Sequence, residues 1–234
     1  MSRELPELIL ATLSAGPMGV GDELGRIDAS NLKRAMRADS VLLKPDVPAV
    51  PIDASYIAEA QGLSAPMVAA THSGDEVEVF AYPRADSPEQ ATVSLQQLDI
   101  RGAAYVWDWV LQTGRLIPAG GTFAMSFRSG WAYEVVAPVG QDGIGILGDT
   151  GKIVPLSRQR FAAVENSADA RVTVAFAPGE DAVQLAGYAA RRPALRAMHG
   201  SVGSMQYDSA THLFRVTVHP AAAAGARTAE LVIH

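Results

Sequence analysis

The sequence of 234 residues contains no cysteine, which excludes disulfides, thiolate metal ligands and a cysteine nucleophile. Its five histidines lie far apart, without the close spacing of a metal-binding pair. No phosphate-binding or dinucleotide-binding glycine motif is present, and no serine lies in the G-x-S-x-G motif of a hydrolase triad. The sequence therefore predicts neither a metal nor a cofactor.

Long apolar runs and clusters of positive charge are also missing. No stretch approaches the ~18 consecutive apolar residues of a membrane-spanning helix, so we expect no membrane partner. Net charge is −6 and the basic residues are scattered, which argues against nucleic acid as a partner. The N-terminus lacks the features of a secretion signal; the compartment stays open, with the cytoplasm expected. Because 48% of the residues are hydrophobic and 19% are charged, a sizeable core is possible.

Two helical patterns separated by glycines open the chain. Residues 3–15 carry apolar side chains at helical spacing, and Gly16-Pro17 ends that pattern. Residues 18–20 are expected as a very short strand, and Asp28 as the N-cap of a second helix, with Ser30 as the alternative. We assign residues 1–46 to the terminal β/α unit of an incomplete barrel.

The residue composition changes after this unit. Pro48, Pro51 and Pro66 predict an extended linker rather than a helix over residues 47–66. From there the chain alternates short β patterns such as EVEVFAY with turns rich in glycine and aspartate. Residues 67–234 are thus predicted as an antiparallel β-sandwich region. The predicted fold class is mainly β, with one or more antiparallel sandwiches preceded by a short α/β segment.

Several motifs carry a resemblance to a known family. The stretch SAGPMGVGD at residues 14–22 resembles the segment that forms the eighth barrel strand of clan D α-glycosidases, most closely the α-galactosidase and raffinose-synthase-like members. KPDVPA at residues 44–49 resembles the exit from that unit. YVWDW at residues 105–109, followed by Thr113-Gly114, resembles a hairpin of the family's C-terminal β-sandwich, and residues 147–160 resemble a later stretch of it.

The resemblance implies a retaining mechanism with two catalytic aspartates on earlier barrel strands. No residue here matches either aspartate, and Ala15 replaces the first glycine of the family's Gly-Gly-Pro stretch. We therefore expect no catalytic residue in this chain, and a non-catalytic C-terminal part of a glycoside-hydrolase-like protein whose sandwich packs on a barrel absent from this chain. The alternative is a stand-alone carbohydrate-binding or protein-interaction module.

Four residues are candidates for carbohydrate binding. Asp22 would lie at the C-terminal end of a barrel strand, where a carboxylate could accept bonds from sugar hydroxyls; the alternative is a turn aspartate that bonds nearby backbone N–H groups. Trp107 and Trp109 share one strand face, and Trp131 follows in the same aromatic-rich region. An exposed row would stack on sugars, whereas a buried row would form the core or an interface, which the size of these rings favours.

Two further expectations concern packing. A lone β/α unit cannot close a barrel. Residues 1–45 should therefore pack on the sandwich as a helical appendage, be mobile, or bind a partner through this surface, either the catalytic barrel or a second copy of the chain. Arg158 and Arg160 share a face; a surface pair is favoured over a site that grips a carboxylate or phosphate.

Overall fold

The computed structural model describes residues 4–19, 28–166, 169–221 and 227–234. Within these ranges the chain is mainly β and its paired strands run antiparallel, which confirms the predicted fold class. No helix among the described residues is long and apolar enough to cross a membrane. The helices are α1 (Glu4–Leu13), α2 (Ala29–Arg34) and α3 (Asp53–Ala60), with a 3₁₀ helix at Leu95–Leu98.

The first half of the β region is a six-stranded sheet faced by a two-stranded one. The larger sheet has the order β1-β2-β3-β8-β5-β6, and β4 pairs with β7 in the smaller sheet. The strands are β1 (Val50–Pro51), β2 (Met67–Ser73), β3 (Glu76–Tyr82), β4 (Gln90–Ser94), β5 (Ala104–Asp108), β6 (Thr113–Ile117), β7 (Thr122–Ser126) and β8 (Ala132–Pro138).

Period-two alternation builds the core between these two sheets. Val77 and Val79 of β3 point to the same side as Val106 of β5 and Val136 of β8, and all four are buried. Val93 and Met125 close this layer from the small sheet. Residues 76, 78, 80 and 82 of β3 alternate with these valines and must therefore face the opposite side of the six-stranded sheet.

The second half forms another pair of facing sheets. One has the order β10-β11-β17-β13, and the other β14-β16-β12-β9 with β15 added to β16. Leu185, Phe214, Val172 and Leu231 lie between them, fully buried. The strands are β9 (Ile144–Gly148), β10 (Phe161–Asn166), β11 (Ala170–Ala175), β12 (Val183–Ala189), β13 (Leu195–His199), β14 (Ser201–Val202), β15 (Gln206–Asp208), β16 (Leu213–His219) and β17 (Thr228–Ile233).

The expected N-cap of α2 is confirmed. The Asp28 carboxylate accepts a hydrogen bond of 2.9 Å from the Ser30 backbone N–H, which satisfies a donor that the first helical turn leaves free. Met18 and Gly19, expected in a short strand, lie outside any helix or strand, and Val20 lies outside the described residues.

The prediction of an extended linker over residues 47–66 is wrong at its centre. Residues 53–60 (DASYIAEA) form α3, because they contain neither proline nor glycine and Asp53 lies in the first turn, where the helix dipole favours a negative charge. Gly62, with φ of +64°, follows the end of the helix.

Candidate functional site

The outer face of the six-stranded sheet, turned away from its partner sheet, carries acidic as well as aromatic side chains. Glu78 lies opposite Val135, which in turn lies opposite Trp107, so these three side chains form one row across β3, β8 and β5. Phe80 and Tyr133 form the next row. Together with Leu147, Tyr188 and Leu213 of the second half, these aromatic and aliphatic side chains form a third buried cluster, which we call the junction.

An irregular loop covers the junction. It runs over residues 149–160 (DTGKIVPLSRQR), which we call the cover loop, and residues 153–157 of it are buried. The Trp109 Nε1–H donates a hydrogen bond of 2.6 Å to the Lys152 carbonyl, and the Tyr133 hydroxyl donates to the Ile153 carbonyl. Trp109 and Tyr133 therefore supply hydrogen-bond donors to two carbonyl groups of the cover loop. A buried carbonyl group without a donor would destabilise the loop.

The cover loop in turn holds the C-terminal end of α2. The Lys152 ammonium donates to the carbonyls of Lys33 at 2.8 Å and Met36 at 2.9 Å. The Ile153 N–H donates to the Arg34 carbonyl at 2.9 Å. The last carbonyls of a helix have no partner within the helix and carry partial negative charge, so a lysine there both satisfies and neutralises them.

Further contacts tie the chain just beyond α2 to the same loop. Ser157 donates through its hydroxyl to the Lys44 carbonyl at 2.9 Å. Asp46 accepts a hydrogen bond of 2.9 Å from the Arg158 Nε–H. On α1, Ile9 and Leu13 are buried in the junction. Of the three arrangements expected for residues 1–45, the described part of this segment adopts the packed appendage.

Two carboxyl groups lie buried beneath this cover. Glu76 and Glu78 are 1% and 0% exposed. The Ser73 hydroxyl donates to one Glu78 oxygen at 2.6 Å. The other Glu78 oxygen and both Glu76 oxygens accept no hydrogen bond of ordinary geometry from the described residues, although the Leu156 backbone lies close enough to act on Glu76. Burial, opposed by the Ser73 hydrogen bond, raises the pKa of Glu78 to about 8. Burial and the Glu78 charge raise the pKa of Glu76 well above its ordinary value, with the Leu156 backbone opposing them.

A second group of charges fixes the end of the cover loop. Arg160 is 1% exposed and donates through both terminal nitrogens to the Glu180 carboxylate, one of these bonds measuring 2.9 Å. Burial would raise the pKa of Glu180, but the Arg160 hydrogen bond and the Ala177 backbone N–H lower it overall. The expected surface pair is therefore wrong for Arg160, because this side chain neutralises a partly buried carboxylate, while Arg158 is exposed.

The tryptophans named as candidates for carbohydrate binding occupy different environments. Trp107 and Trp109 are 0% and 2% exposed, so their ring faces do not stack on a sugar in this conformation; they form the core-or-interface arrangement instead. Arg34 lies 5.2 Å from the Trp109 ring centre, as in a cation–π contact. Trp131 is only partly buried, and its ring stacks on Phe80 with centroids 5.9 Å apart. Asp22 lies outside the described residues.

A cavity of about 430 Å³ opens at the rim of the junction. Its walls bring together four elements: α1, the end of α2, the turn after β5 and the cover loop. Its lining residues are Leu5, Arg34, Trp109, Val110, Gln112, Thr150 and Gly151. Among the described residues, no group of three or more histidines, aspartates or glutamates is placed to hold a metal ion.

Neither a scan of protein-family models nor a search of the curated proteins finds a match to this chain. The junction is therefore interpreted from its own geometry. Sequence reasoning identified its tryptophans but not Glu76, Glu78 or Lys152 as parts of the site. For the two glutamates a signal existed, since they occupy the face of β3 that the valines leave free.

Proposed function

We propose that this chain is the non-catalytic C-terminal part of a glycoside-hydrolase-like protein, in which the β-sandwich region holds the last unit of a catalytic barrel that is absent from this chain. The observation that carries the proposal is the attachment of residues 28–46 to the sheets through the cover loop. Lys152 and Ser157 contact backbone carbonyls of this segment rather than its side chains. Such contacts fix the position of a chain segment, which is what a supporting domain requires.

The state of the acidic residues agrees with a supporting role. General acid–base catalysis requires a carboxyl group within hydrogen-bond reach of the substrate. The acids whose pKa values rise most, Glu76, Glu78 and Glu134, are at most 3% exposed, beneath the cover loop or inside the first core. None of these three carboxyl groups can contact a dissolved sugar in this conformation.

An assay of the purified chain tests the non-catalytic part of the proposal. Incubation with a nitrophenyl α-galactoside should give no release of nitrophenol above a buffer blank. A known α-galactosidase in the same buffer serves as the positive control. Robust turnover by the chain would contradict the proposal.

Co-expression tests the supporting role. If the reading frame upstream of Met1 encodes a barrel with two suitably placed aspartates, that barrel and this chain, produced as separate polypeptides, should co-purify. Lys152→Met should weaken the complex, because it removes both contacts to the end of α2. The control is Arg84→Met, which breaks an ion pair with Glu59 of α3 instead. Failure to co-purify, or an equal effect of the two variants, would contradict the supporting role.

One observation favours carbohydrate binding as a second candidate function. Trp131 keeps part of its ring exposed, and Phe80, stacked beneath it, holds its orientation. Tyr82, 39% exposed, lies 6.3 Å from Phe80 between ring centres and extends the aromatic surface. Aromatic rings held rigidly at a surface offer apolar area at low entropic cost, and the C–H faces of a pyranose fit such rings.

Titration with neutral oligosaccharides tests this second candidate. Binding should quench tryptophan fluorescence, and Trp131→Ala should abolish the quenching. Tyr56→Ala provides the matched control, because Tyr56 is an exposed aromatic residue on α3, outside this surface. A flat titration, or binding unaffected by Trp131→Ala, would remove the candidate.

A further inference from the structure

Two glutamate side chains lie next to each other on one face of strand β3, with no cation between them. Glu76 and Glu78 are two residues apart on β3, so they share the outer face of the sheet. Strand β3 is an inner strand, paired with β2 on one side and β8 on the other. Both side chains are buried, at 1% and 0% exposure, and among the described residues three of their four carboxyl oxygens accept no hydrogen bond of ordinary geometry, although the Leu156 backbone lies close enough to act on Glu76.

The groups that face the pair are neutral or acidic. From β2 the Ser73 hydroxyl donates to Glu78, and from β8 the Tyr133 hydroxyl is turned to the Ile153 carbonyl. From the N-terminal segment Asp46 acts on Glu78 as a like charge. The Asp46 carboxylate is itself bound to the Arg158 guanidinium. The cover loop contributes the Leu156 backbone above Glu76.

We propose that Glu76 and Glu78 form a pH-dependent latch: protonated, they allow the cover loop and residues 43–46 to stay closed on the sheet, and ionised, they drive this cover open. The proposal does not depend on the function proposed above. It rests on the geometry, because two neighbouring carboxylates cannot both keep their charge in a buried site that offers them one hydroxyl, the Leu156 backbone and no cation. Opening of the cover hydrates them.

The sign of the effect follows from the pKa values. Burial raises the pKa of Glu78 from its ordinary value of 4.5 to about 8, and that of Glu76 also rises well above 4.5. The closed form is therefore fully favoured below about pH 4.5 and loses stability as the pH rises through about 8. In this window the opening equilibrium constant should increase about tenfold per pH unit for each carboxyl group.

Hydrogen exchange of single amides tests the latch. The informative amides are those of Ile153, bonded to the Arg34 carbonyl, and of Leu43, bonded to the Ala35 carbonyl. After correction for intrinsic exchange, their protection should fall by about a hundredfold or more between about pH 6 and about pH 8. At both values they should stay less protected than the Val216 amide, which lies in the second core.

Two matched variants test whether Glu76 and Glu78 cause the pH-dependent loss of amide protection. The double variant Glu76→Gln, Glu78→Gln should reduce the pH-dependent change to less than about threefold, because an amide does not ionise. Glu134→Gln is the control: Glu134 is also a buried glutamate of the same sheet, but Arg115 pairs with it outside the junction, so this variant should keep the hundredfold change. A flat wild-type profile, or a change that survives the double variant, would overturn the latch.

A measurement on the unaltered chain covers the case in which the double variant does not fold. Protonated carboxyl groups give an infrared carbonyl band distinct from that of carboxylates. That band should be present at about pH 7, well above the pKa of exposed glutamates, both in the wild-type chain and in Glu134→Gln, which removes the contribution of Glu134. It should be lost as the pH rises through about 8. Absence of the band at that pH, or its persistence after the cover has opened, would overturn the latch.

Discussion

The two faces of the six-stranded sheet differ in the parts of the chain that cover them. The inner face is mainly aliphatic, with Glu134 as its one buried acid among the described residues, and Val77, Val79 and Val106 meet a two-stranded sheet formed by nearby residues of the same half. The outer face carries Glu78, Trp107 and other polar or aromatic side chains. Its cover comes from parts of the chain that are distant in sequence.

Sequence separation measures this difference. Trp109 and Lys152, which are hydrogen-bonded, are 43 positions apart, and Ser157 and Lys44 are 113 positions apart. The inner face is thus stabilised by local apolar packing, while the outer face is stabilised by directed hydrogen bonds to a loop and to the N-terminal segment. A face such as the outer one can attach one part of a protein to another. Each of its hydrogen bonds can also be removed separately by substitution.

The largest expected effect on stability comes from removing a buried side chain from each face of the sheet in turn. Trp107→Ala should lower the free energy of unfolding by about 3–5 kcal/mol, because it removes a fully buried ring from the junction. Its neighbour Val106→Ala, on the inner face, should cost about 1–2 kcal/mol. Urea unfolding followed by circular dichroism measures both. A smaller loss for the tryptophan variant would mean that the outer face contributes little to global stability.

The next effect tests the charged end of the cover loop. Arg160→Met should lower stability by about 3 kcal/mol, because it leaves the Glu180 carboxylate without its buried partner. Arg158→Met is the comparison: this arginine is 68% exposed, so losing its pair with Asp46 should change stability by less than about 1 kcal/mol. Thermal unfolding of the two variants at equal pH provides the measurement. Equal losses would show that burial does not distinguish the two arginines.

A smaller effect concerns the acid on the inner face. Burial, opposed by Arg115, raises the pKa of Glu134 from 4.5 to about 7. Its contribution to stability is therefore present below about pH 4.5 and is lost as the pH rises to about 7. The stability of Glu134→Gln relative to wild type should rise by about 1.4 kcal/mol per pH unit in that window and level off above it. Denaturant titrations at several pH values measure this difference; a constant difference would contradict the raised pKa.

Local rules account for much of the fold. The alternation in EVEVFAY and RVTVAF marks β3 and β11, and the capping residue Asp28 marks the start of α2. These features depend on residues within a few positions of each other, so a single sequence contains them. Helix α3 is not predicted, because the prolines at positions 48, 51 and 66 indicate an extended segment. These prolines all lie outside the helix, so they do not prevent it from forming.

The candidate site could be predicted only in part. The burial of Trp107 and Trp109 follows from the size of their rings. The burial of Glu76 and Glu78 does not follow from alternation, because an antiparallel sheet with one aliphatic face ordinarily turns its polar face to water. Here the cover loop and the N-terminal segment exclude that water, and their positions depend on contacts more than 100 residues apart in sequence. The same long-range packing explains why Arg160 is buried and Arg158 is not.

The smallest expected effect isolates one hydrogen bond of the outer face. Tyr133→Phe keeps the ring in the junction but removes the hydroxyl that donates to the Ile153 carbonyl. Stability should fall by about 1–2 kcal/mol, because that carbonyl is then buried without this donor. Hydrogen exchange should show weaker protection at Ile153, while the Val79 amide on the inner side of the same sheet should keep its protection. Loss of protection at both amides would mean that the two faces unfold together and that the cover loop is not a separate element.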